Sequence, residues 1–248
     1  MIPKKIHYCW FGGAELPELA KRCISSWHQH MPDWEYVLWN EETFDVTKAP
    51  AYVQEAYAAK KFAFVSDYVR LFALEQQGGV YLDTDVEVLK SFEPLLNHQA
   101  FIGFEENKHK SLGTNCIGSE AHLLWLKNQL TYYQEHHFVR EDRSMDMTTN
   151  AEIITRYFEE NGLVRNGQEQ QTGEMHVFDF HHFSPITSTR VMRKNTSTYS
   201  IHRFAGSWTE NKRCLLIDNI VMHEIINLFA QLKRMITKSF IIIKSTRI

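Results

Sequence analysis

The sequence predicts an α/β fold, one domain in which strands and helices alternate around a mostly parallel sheet. Three observations carry this. Short runs rich in β-branched and aromatic residues alternate with segments of helical period. The strongest helical pattern stops at Gly78-Gly79 and runs at once into VYLDTDVEVL, whose apolar residues recur at period two. The 248 residues, 44% hydrophobic and 23% charged, suffice for a sizeable core, and no internal repeat or low-complexity linker divides them.

KKIHYCW (4–10) reads as a first strand that Gly12-Gly13 end in a loop. LPELAKRCISSWHQHMP (16–32) places Leu16, Leu19, Ala20, Cys23, Ile24 and Trp27 on one helical face and stops at Pro32. WEYVLWN (34–40) is a second strand. A helix is expected over Lys61–Gln77, with Phe64, Val65, Tyr68, Leu71, Phe72 and Glu75 at helical spacing, followed by a strand over 78–89. AFIGFE (100–105) reads as a strand, and residues 120–137 and 148–162 as helices, the latter ending near Gly162. Residues 163–200 give only short β-like runs such as MHVFDF, and YSIHRFAGSW (199–208) reads as a last strand entering a loop.

The net charge of −3 argues against a general nucleic-acid binder. The charge is uneven: residues 219–248 hold Lys233, Arg234, Lys238, Lys244 and Arg247 against Glu224 alone. Met222, Ile225, Ile226, Phe229, Leu232, Ile236 and Phe240 recur there at helical spacing. The division expected is therefore a domain over 1–218 and a basic amphipathic helical tail over 219–248. The tail either packs on the domain or lies on an anionic membrane. Four cysteines without CxxC spacing fit free thiols in a reducing compartment, and MIPKKIHYCWFGG holds no apolar run long enough for a signal peptide. The expected location is cytoplasmic, at the inner face of the cell membrane if the tail binds lipid.

Asp83 and Asp85 stand in the middle of the expected strand, where Asp is disfavoured and a buried unpaired carboxylate is costly. Strict alternation puts Tyr81, Asp83, Asp85 and Glu87 on one face, and a divalent cation would relieve their repulsion. Hard oxygen ligands suit Mg²⁺ or Mn²⁺, which commonly share coordination with substrate phosphates at the carboxyl ends of parallel strands. The plain alternative is that the two acids end a strand in a turn. On the preceding helix Asp67 and Arg70 share a face.

IPKKIHYCWFGG, FAFVSDYVRLFALEQQGGVYLDTDVEVL and IHRFAGSW together resemble glycosyltransferase family 32, the sugar transferases with a DXD motif, and more distantly the glucosyltransferase domains of large clostridial toxins. The resemblance implies a GT-A fold, a Rossmann-like mixed sheet flanked by helices, that binds a nucleotide-sugar and Mn²⁺ or Mg²⁺. It implies that Trp10 stacks on the base, and that Ser66, Asp67, Arg70 and Tyr81 serve the sugar and ribose–phosphate. Asp83 would face the ribose and sugar, directly or through the waters of the metal, and Asp85 would be the direct ligand. His202 would add a metal contact, with Trp208 beside the leaving phosphate and Ser207 among the nucleotide-sugar contacts.

The implied activity is retaining, metal-dependent hexosyl transfer from a UDP-sugar, or a GDP-sugar, to a glycan or lipid-linked oligosaccharide, in a bacterial surface-polysaccharide setting such as a capsule. Two other readings remain at this point: a nucleotide-sugar-binding protein without turnover, and a haloacid-dehalogenase-like phosphatase with Asp83 as nucleophile. The latter expects Thr or Val where this chain has Glu87.

Overall fold

The computed structural model describes residues 1–106, 109–186 and 191–206. The expected Ser207, Trp208 and basic tail over 219–248 lie outside the described residues. The first half runs β1 (Lys5–Cys9), α1 (Glu18–His30), β2 (Glu35–Trp39), α2 (Ala51–Ala58), α3 (Phe62–Gln77), β3 (Gly79–Leu82) and β4 (Val86–Val88). It continues through β5 (Ala100–Phe104), β6 (Leu112–Ser119), α4 (Leu124–Glu135), α5 (Asn150–Glu160), β7 (Gln170–Thr172), β8 (Met175–Phe178) and β9 (Ser200–His202).

Seven strands form one sheet in the order β2-β1-β3-β6-β5-β8-β7, and β4 pairs with β9 in a separate two-stranded sheet. The sheet is mixed rather than mostly parallel. β1 is parallel to β2 and β3, and β5 to β8, whereas β6 enters antiparallel between β3 and β5 and β7 is antiparallel to β8. β6 (LGTNCIGS) lacks an alternating apolar signal because it is built to be approached closely. A Cβ at Gly118 would stand 2.1 Å from the Phe101 ring on β5, so only glycine admits that neighbour. The sequence reading also passed over α2 and the short β7.

Side chains of the central strands alternate between two apolar layers. Val80 and Leu82 pack with Trp27 of α1, Phe92 and Phe101, while Tyr81, Ile102 and Ile117 pack with Val65, Leu71 and Leu74 of α3 and Leu126 of α4. The sheet is therefore covered on both faces. Cys9, Cys23 and Cys116 are buried free thiols. Among the described residues no helix is long and apolar enough to cross a membrane.

The expected single strand over 78–89 is two. After Leu82 the chain turns through Asp83, Thr84 and Asp85, with the Val86 N–H bonded to the Asp83 carbonyl at 3.0 Å, and β4 leaves to join β9. This corrects the shared face assigned to Asp83, Asp85 and Glu87. Glu87 instead pairs with Arg203, whose Nε donates to it at 2.8 Å.

Candidate metal and donor site

The site is set by the turn between α3 and β3. Gly78 and Gly79 both have positive φ, and a Cβ at Gly79 would meet the Lys5 carbonyl oxygen at 2.7 Å. Buried His7 locks this turn: its Nε2 donates to the Gly78 carbonyl at 2.8 Å, while Nδ1 accepts from Trp39 Nε1 at 3.1 Å. Burial lowers the His7 pKa to about 4, so the ring stays neutral in that tautomer. The reversal lays Asp67 and Arg70 against the end of β3.

Arg70, 5% exposed, is the hub. Its Nη1 lies 3.1 Å from Asp67 Oδ1 and 3.4 Å from Asn150 Oδ1, and its Nη2 lies 3.2 Å from Asp83 Oδ1. Its guanidinium carbon sits 4.7 Å from the Tyr81 ring centroid, and the Tyr81 hydroxyl donates to Asp83 Oδ1 at 2.9 Å. Both residues were expected to touch the donor. Their buried polar groups bond to Asp67 and Asp83. Asn150, which the sequence reading did not single out, donates its backbone N–H to Asp67 Oδ2 at 3.2 Å and its Nδ2 to the Tyr133 hydroxyl at 2.9 Å. Its sequence signal is only that of a helix start, with Thr149 capping α5.

Beyond Arg70, Asp83, Asp85 and His202 converge, each offering a ligand atom within 4.8 Å of the others. His202 arrives because β9 pairs with β4, opposite Val86. Its Nε2 is 3.6 Å from Asp85 Oδ2, which also accepts the Ala205 N–H at 2.8 Å. Burial works against all three charges. For Asp83 burial and the nearby Asp85 charge prevail over Arg70 and raise its pKa. For Asp85 the His202 imidazolium and the Ala205 N–H prevail, and its pKa is lowered. The His202 pKa, against the opposition of burial, is raised to about 10 by Asp85 and Glu105. Two carboxylates and an imidazole, partly buried and with one carboxylate disfavoured as an anion, fit a divalent cation that would take the place of the imidazolium proton.

Trp10 and Ser66 each have their side-chain donor on backbone. Trp10 Nε1 donates to the Ala14 carbonyl at 2.6 Å and the Ser66 hydroxyl to the Phe62 carbonyl at 3.1 Å. β1 lies parallel to β3 with His7 beside Tyr81, so Trp10 leaves the sheet at the same carboxyl edge as Asp83. That edge is where open α/β sheets gather ligands.

Residues 17–102 match the family described as "glycosyltransferase sugar-binding region containing DXD motif". The match makes this segment similar to a DXD-type glycosyltransferase sugar-binding region. Its DXD acids are Asp83 and Asp85, the turn described above. The chain is similar to inositol phosphoceramide mannosyltransferase 3 of Schizosaccharomyces pombe, 36% identical over 124 residues, 47% of this chain and 33% of the relative. It is 28% identical to the mannosyl phosphorylinositol ceramide synthase SUR1 of Saccharomyces cerevisiae, over 56% of this chain and 37% of the relative. The chain thus spans about a third of the length of these curated relatives. Both are fungal proteins, and neither supports the capsular setting expected from the sequence.

The fold is GT-A. It matches the crystal structure of a glycosyltransferase involved in the glycosylation of the major capsid of PBCV-1, with a TM-score of 0.51 at 11% identity, over 80% of this chain and 92% of that one. The DXD region and the fold leave the phosphatase reading without support.

Asp67 provides a pH test. Burial, only partly opposed by Arg70 and the Asn150 N–H, pushes its pKa up to about 6, from 3.8. Its carboxylate is therefore half formed near pH 6. Turnover that relies on the charge is expected to fall as the pH drops through that value, and a pH–rate profile of donor hydrolysis checks this. A rate flat from pH 5 to 8 would remove Asp67 from the chemistry. The same shift makes ionised Asp67 a stability cost above pH 6, one that fades as pH falls toward 3.8.

Proposed function

We propose that this chain transfers a hexosyl group from a nucleoside diphosphate sugar to a glycan or lipid-linked acceptor, with retention at the anomeric carbon. The observation that carries the proposal is the convergence of Asp83, Asp85 and His202 at the carboxyl edge of β3, braced by the buried Arg70–Asp67 pair. Mn²⁺ or Mg²⁺ held there would act as a Lewis acid toward the charge that develops on the leaving diphosphate.

Asp85 and His202 supply direct ligands, and Asp83 faces the ribose and sugar beside them. Asp67 keeps a free lone pair on each carboxylate oxygen and can accept from sugar hydroxyls. Arg70 and Tyr81 hold Asp67 and Asp83 in place. Trp10 stacks on the base, with Ser66 at the ribose–phosphate, and Ser207 and Trp208 complete the phosphate side. Front-face attack, with the departing phosphate taking the acceptor proton, is the route to retention that the family resemblance implies.

The names of the fungal relatives favour a mannosyl donor and a lipid-linked acceptor, so GDP-mannose belongs beside the UDP-sugars expected from the resemblance. A basic tail on an anionic membrane suits such an acceptor at the inner face of a cell membrane.

Nucleoside diphosphate release from a panel of UDP- and GDP-sugars, with Mn²⁺, Mg²⁺ or EDTA and with lipid or glycan acceptors, tests the proposal. Metal-dependent release from one donor is the expected result. Binding of nucleotide, seen as a raised Tm, without release from any donor–acceptor pair would instead establish a binding protein.

A further inference from the structure

One carboxylate behind the metal cluster has no part in the reading above. Glu105 follows the last residue of β5, and its backbone N–H bonds the Ser111 carbonyl at 2.9 Å. Its Oε1 lies 3.4 Å from His202 Nδ1 and accepts from Asn115 Nδ2 at 3.3 Å. Asn115 is 2% exposed, and its Nδ2 also reaches the Ser184 hydroxyl at 3.0 Å. The Asn115 carbonyl receives the Asp83 N–H at 2.9 Å, so one residue ties Glu105 and the DXD turn to β6.

Gly113 completes the cradle. A Cβ there would stand 2.8 Å from Glu105 Cγ and 2.9 Å from Asn115 Nδ2. Glu105 is thus placed by a buried scaffold, with its side chain 20% exposed.

The His202 ring lies between two carboxylates, with Asp85 at Nε2 and Glu105 at Nδ1. Nδ1 is buried and makes no hydrogen bond of good geometry, and Glu105 Oε1 is the acceptor it faces. A neutral imidazole carries one proton. A divalent cation in place of the proton on Nε2 would leave the one remaining proton on Nδ1, where Glu105 faces it. Metal-bound histidines commonly donate their second ring N–H to such a carboxylate, which fixes the ring and raises its basicity.

We propose that Glu105 is the positioning residue of the metal centre, holding His202 with its proton on Nδ1 so that Nε2 is presented to a divalent cation shared with Asp83 and Asp85. This rests on the metal reading given under the proposed function, and the experiment separates the two.

Mn²⁺ alone is titrated into wild type, Asp85→Asn, Glu105→Ala and Glu105→Gln, with free Mn²⁺ followed by electron paramagnetic resonance and folding by the metal-free Tm. Glu105→Ala is expected to weaken binding by about 10- to 100-fold, the usual effect of losing such a partner. Glu105→Gln should recover part of the loss, because its amide oxygen still accepts from Nδ1. Glu105→Ala binding Mn²⁺ within about twofold of wild type, while Asp85→Asn loses it, would overturn the role of Glu105 and leave the metal site standing. Absence of Mn²⁺ binding by wild type would overturn the metal reading and this inference with it.

A second readout does not depend on how the variants fold. Long-range ¹H–¹⁵N spectra of the Mg²⁺-loaded wild type should show His202 protonated on Nδ1. Protonation on Nε2 would overturn the proposal.

Discussion

Asp85→Asn is expected to abolish metal-dependent release of nucleoside diphosphate while the protein still folds. Asp85 Oδ2 is the atom on which the site converges, 3.6 Å from His202 Nε2 and 2.8 Å from the Ala205 N–H. The amide keeps an oxygen for Ala205, so the backbone contact that seats the turn survives. What is lost is the charge. A neutral amide oxygen is a far poorer ligand for a hard divalent cation, and Asp83 is left as the one acid of the DXD turn.

Loss of one preorganised electrostatic contact to a developing oxyanion typically lowers kcat by about 10²- to 10³-fold, and loss of the metal itself by more. The Tm without metal should change little beyond the lost ion pair with His202. Parallel assays with Mn²⁺ and with EDTA, on wild type and variant, decide the matter. Near-normal turnover in a folded Asp85→Asn protein would remove Asp85 from the reaction.

The second large effect is on stability. Arg70 lies between Asp67 and Asp83, with side-chain exposures of 6%, 14% and 27% respectively. Replacing it with Met fills much of the volume but leaves two crowded carboxylates without the guanidinium between them. Removing one partner from a buried ion pair costs about 3–5 kcal/mol, because the other charge stays desolvated.

The cost should depend on pH in a defined direction. Burial already pushes Asp67 up to about 6, and loss of Arg70 would raise it further. The orphaned acid therefore takes up a proton as pH falls, and Arg70→Met should be less destabilised at pH 5 than at pH 8. Arg70→Met/Asp67→Asn should be more stable at pH 8 than the single variant. Chemical denaturation at the two pH values measures both effects. A loss below about 1 kcal/mol at pH 8, or the opposite pH trend, would show that the guanidinium is not the counter-charge of this site.

Much of this site was legible in the sequence because its parts are locally encoded. The period of 3.6 over Phe64–Glu75 and the two glycines at 78–79 specify helix α3 and its reversal without reference to any distant residue. Asp67, Arg70, Asp83 and Asp85 then fall together because only that turn separates them. Trp10 follows the same logic at the end of the first strand.

His202 came from the resemblance of one short motif, and only the β4–β9 pairing shows how it reaches Asp85. Glu105 left no sequence signal, and Asn150 only that of a helix start. One follows an apolar strand and the other starts a helix, and their partners are fixed by tertiary contacts.

The strand misread over 78–89 shows where local reading stops. Alternation predicted a shared face for Asp83, Asp85 and Glu87, since a strand written at period two has no local reason to break. It breaks because β6 pairs with β3 only as far as Leu82 while β9 captures β4. The helix–glycine–strand unit, the DXD acids and the alternating α/β pattern are locally encoded, set by steric and hydrophobic preferences within a few residues. The mixed strand order, the turn that carries the two acids, and the partners of His202 and Arg70 depend on long-range contacts. Strand pairing and buried charge are contacts between distant segments, and their register is set when the layers close and not by the period of any one run.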